Sequence, residues 1–290
     1  MNFRNYIVTE PASLFKDAAR YYSKGRWKML IAASLIYYLC VSAAVIVIDA
    51  ITGTYDNLQA TMEALYALPQ PVAPEQFLAW YQEYAGSMSS RSNVSFLYTI
   101  LVTGPFSFGL TSVFLRVLRF QPAQADMVFS GFSAFLRAFL LYLVQTIFIA
   151  LWSILLLVPG IIAYYRYSLA WYLIADHPQM GALEAITLSK ELMRGNKLKR
   201  FTIDLSFLGW FVLAGLFAGF FGALLTAGFL AADSPHSVGI QALTIGILAV
   251  IASAPIISYH GVAVAEFYRR IYEPYRAGLP PYSSLPPGSR

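Results

Sequence analysis

The chain has 290 residues, of which 58% are hydrophobic and only 12% charged, with a net charge of +5. A water-soluble domain carries about 25% charged residues, so this composition excludes an ordinary soluble fold. Cys40 is the only cysteine, which excludes an internal disulfide and any cysteine-based metal cluster. The basic residues flank apolar runs instead of interleaving along one soluble face, so the positive charge is no nucleic-acid signal.

Residues 1–28 are polar and charged, and the first apolar run is too long for the core of a cleavable signal, so that run is expected to stay as an anchor. Thr9-Glu10-Pro11 opens a helix that closes near Gly25. It places Leu14, Phe15, Ala18, Tyr21 and Tyr22 on one side and Lys16, Arg20 and Lys24 on another. Such a helix either lies on an anionic cytoplasmic leaflet or docks on the rest of the chain.

Apolar runs then follow at Met29 to Ala50, Val94 to Leu118, Phe139 to Leu157, Gly160 to Ala175, Ser206 to Ala231 and Val238 to Ala265. A helix of about 20 residues crosses a hydrocarbon layer of about 30 Å. The third and fourth runs are expected to form a hairpin broken by Pro159-Gly160. Of the twenty Lys and Arg, six lie in residues 1–28, three in 116–137, five in 190–200 and four in 269–290. Six spans put all four groups on one face, so the positive-inside rule places both termini in the cytoplasm, whereas five spans would split them.

The sequence therefore predicts an all-α fold, an integral membrane bundle of six transmembrane helices with additional interfacial amphipathic helices. Its parts are a cytoplasmic amphipathic helix in 1–28, a six-span membrane domain in 29–276 and a flexible Pro-rich tail in 277–290. Within the membrane domain, 53–93 forms an external loop whose Phe77, Trp80, Tyr81 and Tyr84 follow helical spacing after Pro74-Glu75. That segment reads as a short helix on the outer interface, with a lid over a pore as the sharper alternative. A cytoplasmic helix in 176–200 is stopped by Gly195-Asn196.

Inside the spans, Gly215 and Gly219 make a GxxxG pair that Ala218 and Gly222 extend as a small-residue packing face. Pro105 and Pro255 stand at matching depth, each fourteen residues before an arginine, Arg119 or Arg269. Matched helix breaks can mark a substrate site or serve packing alone. The candidate intramembrane polar or broken-helix site is therefore Pro105, Gln145, Arg166, Pro255 and His260. Arg166 is the one basic residue that the topology leaves deep on the outer side, and it either snorkels to the headgroups or forms an ion pair with Asp49. No phosphate loop, metal-ligand spacing, nucleophile elbow or dinucleotide fingerprint occurs, so no catalytic residue, cofactor or metal is assigned.

Several strings occur in order: Gly104-Pro105-Phe106-Ser107-Phe108-Gly109-Leu110, Phe129-Ser130-Gly131-Phe132, Val158-Pro159-Gly160-Ile161-Ile162, then Ala185-Ile186 through Ser189, Glu191-Leu192-Met193 and Gly195. In these the chain resembles the bacterial domain-of-unknown-function family numbered nine-seven-five. The resemblance implies a polytopic membrane protein of the bacterial cytoplasmic (inner) membrane, with no agreed activity. A looser similarity runs to the membrane domain attached to some glycerophosphodiester phosphodiesterases, whose catalytic domain has no counterpart in this sequence. The expected function is a non-enzymatic module binding or organising a protein or lipid partner. The alternative is a small transporter or permease for an apolar or zwitterionic solute, using the Pro105 and Pro255 helices. Expected partners are a lipid bilayer with an anionic cytoplasmic leaflet and a protein partner or second copy of the chain, with no nucleic acid.

Overall fold

The computed structural model describes residues 7–69, 71–231 and 237–277. The Pro-rich tail beyond Ala277 and His236 lie outside these residues. In chain order the α-helices are α1 (Ala12–Ser23), α2 (Trp27–Tyr38), α3 (Ala44–Ile51), α4 (Thr54–Tyr66), α5 (Pro74–Leu118) and α6 (Phe135–Leu155). There follow α7 (Leu157–Tyr167), α8 (Ala170–Asp176), α9 (Ala182–Leu192), α10 (Lys197–Ala231) and α11 (Ser237–Arg276). A π turn at Leu39–Ala43 joins α2 to α3, and a 3₁₀ segment at Ala125–Phe132 follows α5. Among the described residues all regular structure is helical.

Five helices are long and apolar enough to cross a membrane: 27–51, 93–118, 135–155, 197–227 and 240–276. They hold five of the six runs read from the sequence. The sixth, Gly160 to Ala175, is divided between α7 and α8 at Ser168-Leu169, and neither piece has the length of a span. The division is held by one side chain. The buried Ser189 hydroxyl of α9 donates to the Arg166 carbonyl (3.0 Å) and accepts from the Leu169 amide (3.2 Å), satisfying backbone groups that the interruption leaves open.

Two further expectations change. The helix that begins at Pro74 does not stop after one face of aromatics; it continues unbroken to Leu118, 45 residues or about 68 Å, so the expected external loop is largely α4 and the first half of α5. The hairpin break falls at the extended Leu156, not at Pro159-Gly160. Pro159 stands in the first turn of α7, where its missing N–H has no intrahelical partner to lose. Gly160 instead permits α7 to approach α6, since a Cβ there would overlap Ser153.

The chain divides into two compact units. The first comprises 1–37, 102–213 and 253–290. Here three glycines bring α5 against its neighbours: a Cβ on Gly104 would overlap the Ala138 backbone, one on Gly109 the Val128 backbone, and Gly131 has the same relation to Pro105. Gly261 of α11 faces the Phe114 ring of α5 equally closely. Helix α1 docks on this unit with Phe15, Ala19 and Ser23 buried, Phe15 meeting Phe267 edge-on at 5.9 Å. The segment before α1 is tied down by Asn196, which accepts the Val8 amide (2.8 Å) and donates to the Leu192 carbonyl (2.9 Å). Gly195, at φ +78°, supplies the left-handed turn that ends α9's connection.

The second unit comprises 38–101 and 214–252. The π turn frees the Cys40 carbonyl, which accepts the Tyr98 hydroxyl. The Asp49 carboxylate accepts from Ser95, and Trp80 donates to the Thr61 carbonyl (3.3 Å). Within this unit the buried positions described on α10 are Ala214, Ala218, Gly222 and Thr226, and Gly222 meets Ile245 of α11. Ala218 and Gly222 of the expected small-residue face are thus buried, whereas a Cβ on Gly215 or Gly219 would meet nothing within 4 Å among the described residues.

Candidate functional site

The first unit gathers charge where α11 meets α1, α5, α8 and α10. Glu266 is fully buried, and its carboxylate accepts Arg269 through two bonds (2.7 and 2.8 Å) and Arg270 through one (2.7 Å). Arg270 also donates to Glu10 (2.8 Å) and lies over the Phe15 ring, while Arg269 lies over Tyr22. One carboxylate gripped by two guanidinium groups at i+3 and i+4 thus fixes the two cations that hold α1. A turn further on, Asp176 at the end of α8 accepts Arg119 (2.7 Å) and the Tyr268 hydroxyl (3.0 Å). Burial pushes the Asp176 carboxyl up, but its bonds to Arg119 and Tyr268 and the guanidinium charge outweigh this and hold it below the ordinary carboxylate range. The rings of Tyr172, Tyr268 and Tyr272 stack beside it, and Tyr272 shares a hydrogen bond with His177 (2.6 Å).

Deeper along α11, His260 Nε2 lies 2.5 Å from Asp204 Oδ1 of α10, and Arg200 pairs with the same oxygen from one turn before. Phe207 and Phe211 cover the imidazole, with ring centroids at 5.2 and 6.3 Å. The arrangement neutralises one carboxylate within an apolar wall and leaves the Arg200 Nε buried without a partner among the described residues.

Beside this network runs an open groove of about 410 Å³ between α1, the start of α2, α10 and α11. Lys16 and Arg20 line it together with Trp27, Phe207, Trp210 and Tyr259. Lys16 donates to the Ser206 carbonyl (2.7 Å) and sits over the Phe207 ring at 4.9 Å; Tyr259 donates back to the Lys16 carbonyl (3.0 Å). Trp27 and Phe207 each meet the Tyr259 ring edge-on, at 5.9 and 5.1 Å. The result is an aromatic trough with cations along one rim, a shape that suits an anion carrying a long apolar body.

The residues singled out from the sequence occupy separate settings. Pro255 lines the groove and His260 belongs to the Asp204 cluster. Pro105 serves packing, its backbone pressed on Gly131, and Gln145 is buried in α6 with its side-chain carbonyl unbonded among the described residues. Arg166 ends α7 in the first unit, and Asp49 lies in the second. Helices α5 and α11 continue through Pro105 and Pro255, so the expected helix breaks are not seen. A proline removes one donor and frees one carbonyl, and a long helix packed on both sides can absorb that loss. Sequence reading passed over Asp204 and Glu266, which stand at the margins of apolar runs. The readable signal was a carboxylate with cations at i−4, or at i+3 and i+4.

The fold and these clusters define an all-helical protein with five helices fit to cross a membrane, whose charged side chains pair with one another at the helix ends. Residues 153–274 match the model of the family described as Protein of unknown function (DUF975). That is the family read from the sequence motifs; the match covers Arg200, Asp204, His260 and Glu266 and stops short of α1. No curated protein and no solved structure matches the chain.

Proposed function

We propose that the chain is a six-span protein of a bacterial cytoplasmic membrane, with both termini in the cytoplasm. We assign it a non-enzymatic role: it holds an anionic phospholipid of the inner leaflet in the groove beneath α1. The charge pattern supports six crossings, because only that count gathers eighteen of the twenty Lys and Arg on one face. The fourth crossing is then made by α7 and α8 stacked end to end, which over 157–175 span about 29 Å at 1.5 Å per residue and leave Asp176 beyond its cytoplasmic end. The N-terminal helix is amphipathic in this reading, its buried face docked and its cations turned to phosphate.

The observation that carries the lipid assignment is the groove itself: Lys16 and Arg20 on the rim of a trough walled by Trp27, Phe207, Trp210 and Tyr259. A phosphodiester on the rim gains about 1 kcal/mol per cation near a membrane surface, and acyl carbons fill the aromatic trough.

Two of the wall residues are tryptophans, which supplies a direct readout. In nanodiscs, brominated phosphatidylglycerol is expected to quench tryptophan fluorescence at about tenfold lower fraction than brominated phosphatidylcholine. Lys16→Gln with Arg20→Gln should remove the preference, and Trp27→Phe with Trp210→Phe should remove most of the quenched signal. Equal quenching by the two lipids in the unaltered protein would refute the assignment.

A further inference from the structure

A second cavity, of about 340 Å³, lies in the same unit between the end of α5, the 3₁₀ segment, the start of α6 and the end of α8. Its lining is polar: Arg116, Arg119 and Arg137 with Ser112, Ser130 and Ser133. Asp176 is the single carboxylate among the lining residues, so three guanidinium groups leave two positive charges uncompensated.

Two of the three arginines are anchored, and none of the three is used up. Each guanidinium has five N–H donors in a fixed fork. Arg119 is anchored by Asp176 (2.7 Å), and Arg137 by the Pro178 carbonyl and by the face of Phe108 at 5.9 Å. Among the described residues Arg116 has only a 3.4 Å bond, to the Pro122 carbonyl. Ser112 and Ser133 donate to backbone carbonyls (2.9 and 2.6 Å), whereas the Ser130 hydroxyl makes no hydrogen bond among the described residues. The wall is also preformed, because Gly109 and Gly131 bring the 3₁₀ segment into backbone contact with α5 and so fix Ser130 opposite the arginines. Two anchored guanidinium forks, a third with most of its donors to spare, one free hydroxyl and two spare positive charges match the oxygens and the charge of a phosphate monoester.

We infer that the cavity bounded by Arg116, Arg119, Arg137 and Ser130 is a binding site for a phosphate monoester, separate from the groove beneath α1. The monoester belongs either to a soluble phosphate compound or to a lipid headgroup ending in one; both present the same dianion to the three arginines.

The test uses the full chain in phosphatidylcholine nanodiscs, with inorganic phosphate titrated as the soluble probe and phosphatidate added as the lipid probe against phosphatidylglycerol, a diester. Saturable phosphate binding that Arg116→Gln weakens about tenfold or more, and Arg116→Lys weakens less, supports a soluble ligand. Absence of phosphate binding together with enrichment of phosphatidate over phosphatidylglycerol in native mass spectra, lost in Arg116→Gln, supports a headgroup ligand. Arg116 is chosen because its loss leaves no buried partner; Arg137→Gln gives a second reading where its melting temperature is unchanged. The inference is overturned if neither probe binds, or if binding persists unchanged in Arg116→Gln. It is equally overturned if binding is lost only in the Lys16→Gln, Arg20→Gln protein, which would assign the anion to the groove.

Discussion

Charged side chains in this protein are costly to bury alone and are therefore placed in pairs and triads. Asp176 illustrates the consequence for pH. Its carboxyl is held below the ordinary value of 3.8 because Arg119 and Tyr268 favour the charged form more than burial disfavours it. A depressed carboxylate contributes stability that is complete above the unfolded value and is lost as pH falls through the folded one. Asp176→Asn should therefore lower stability by about 1–2 kcal/mol at neutral pH, allowing for the partly exposed Arg119. The gap between variant and parent should close below about pH 3.8. Melting in detergent across that range checks it; a gap that stays constant to lower pH would mean the asparagine acts through packing.

At the scale of helices, close approach is governed by which glycines meet backbone. Gly109 and Gly219 both lie inside helices, yet a Cβ on the first overlaps the Val128 main chain and one on the second meets nothing within 4 Å. Backbone cannot rotate aside as a side chain does, so Gly109→Ala should cost about 1–3 kcal/mol. Gly219→Ala should be neutral or stabilising by up to about 1 kcal/mol through helix propensity. Paired thermal melts of the two variants give the comparison, and equal losses would contradict the packing described. The same reasoning applies to the α7–α8 interruption, which Ser189 stitches through one hydroxyl acting both as donor and acceptor.

For the whole molecule, the number of crossings turns on α7 and α8, which together have the length of a span while neither has it alone. Six crossings return the chain to the cytoplasm at Ala277, and five leave it outside. Single cysteines in a Cys40→Ala background, treated with an impermeant maleimide on intact cells, should label at position 73 and remain unlabelled at positions 26, 179 and 277. Labelling at 277 from outside would reduce the count to five and move the groove and the arginine cavity relative to the leaflets.

The sequence by itself determined the helical class, the apolar runs that became long helices, and α1 with its start at Pro11 and end near Gly25. Each of these depends on local pattern: hydropathy over about 20 residues and cap residues. Tertiary structure alone decided the rest. A small-residue face of Gly215, Ala218, Gly219 and Gly222 was legible, but which of its edges packs depends on the rotation of the helix: Ala218 and Gly222 are buried with Ala214, and Gly215 and Gly219 are not. Proline at positions 105 and 255 was legible as well, but whether a helix breaks there depends on the neighbours that absorb the lost hydrogen bond. The groove and the arginine-lined cavity draw on residues far apart in the chain, Lys16 with Trp210 and Tyr259, Arg116 with Arg137 and Asp176. No periodicity within one segment encodes such pairs, because they are fixed by helix crossings that glycines at 104, 109, 131 and 261 permit.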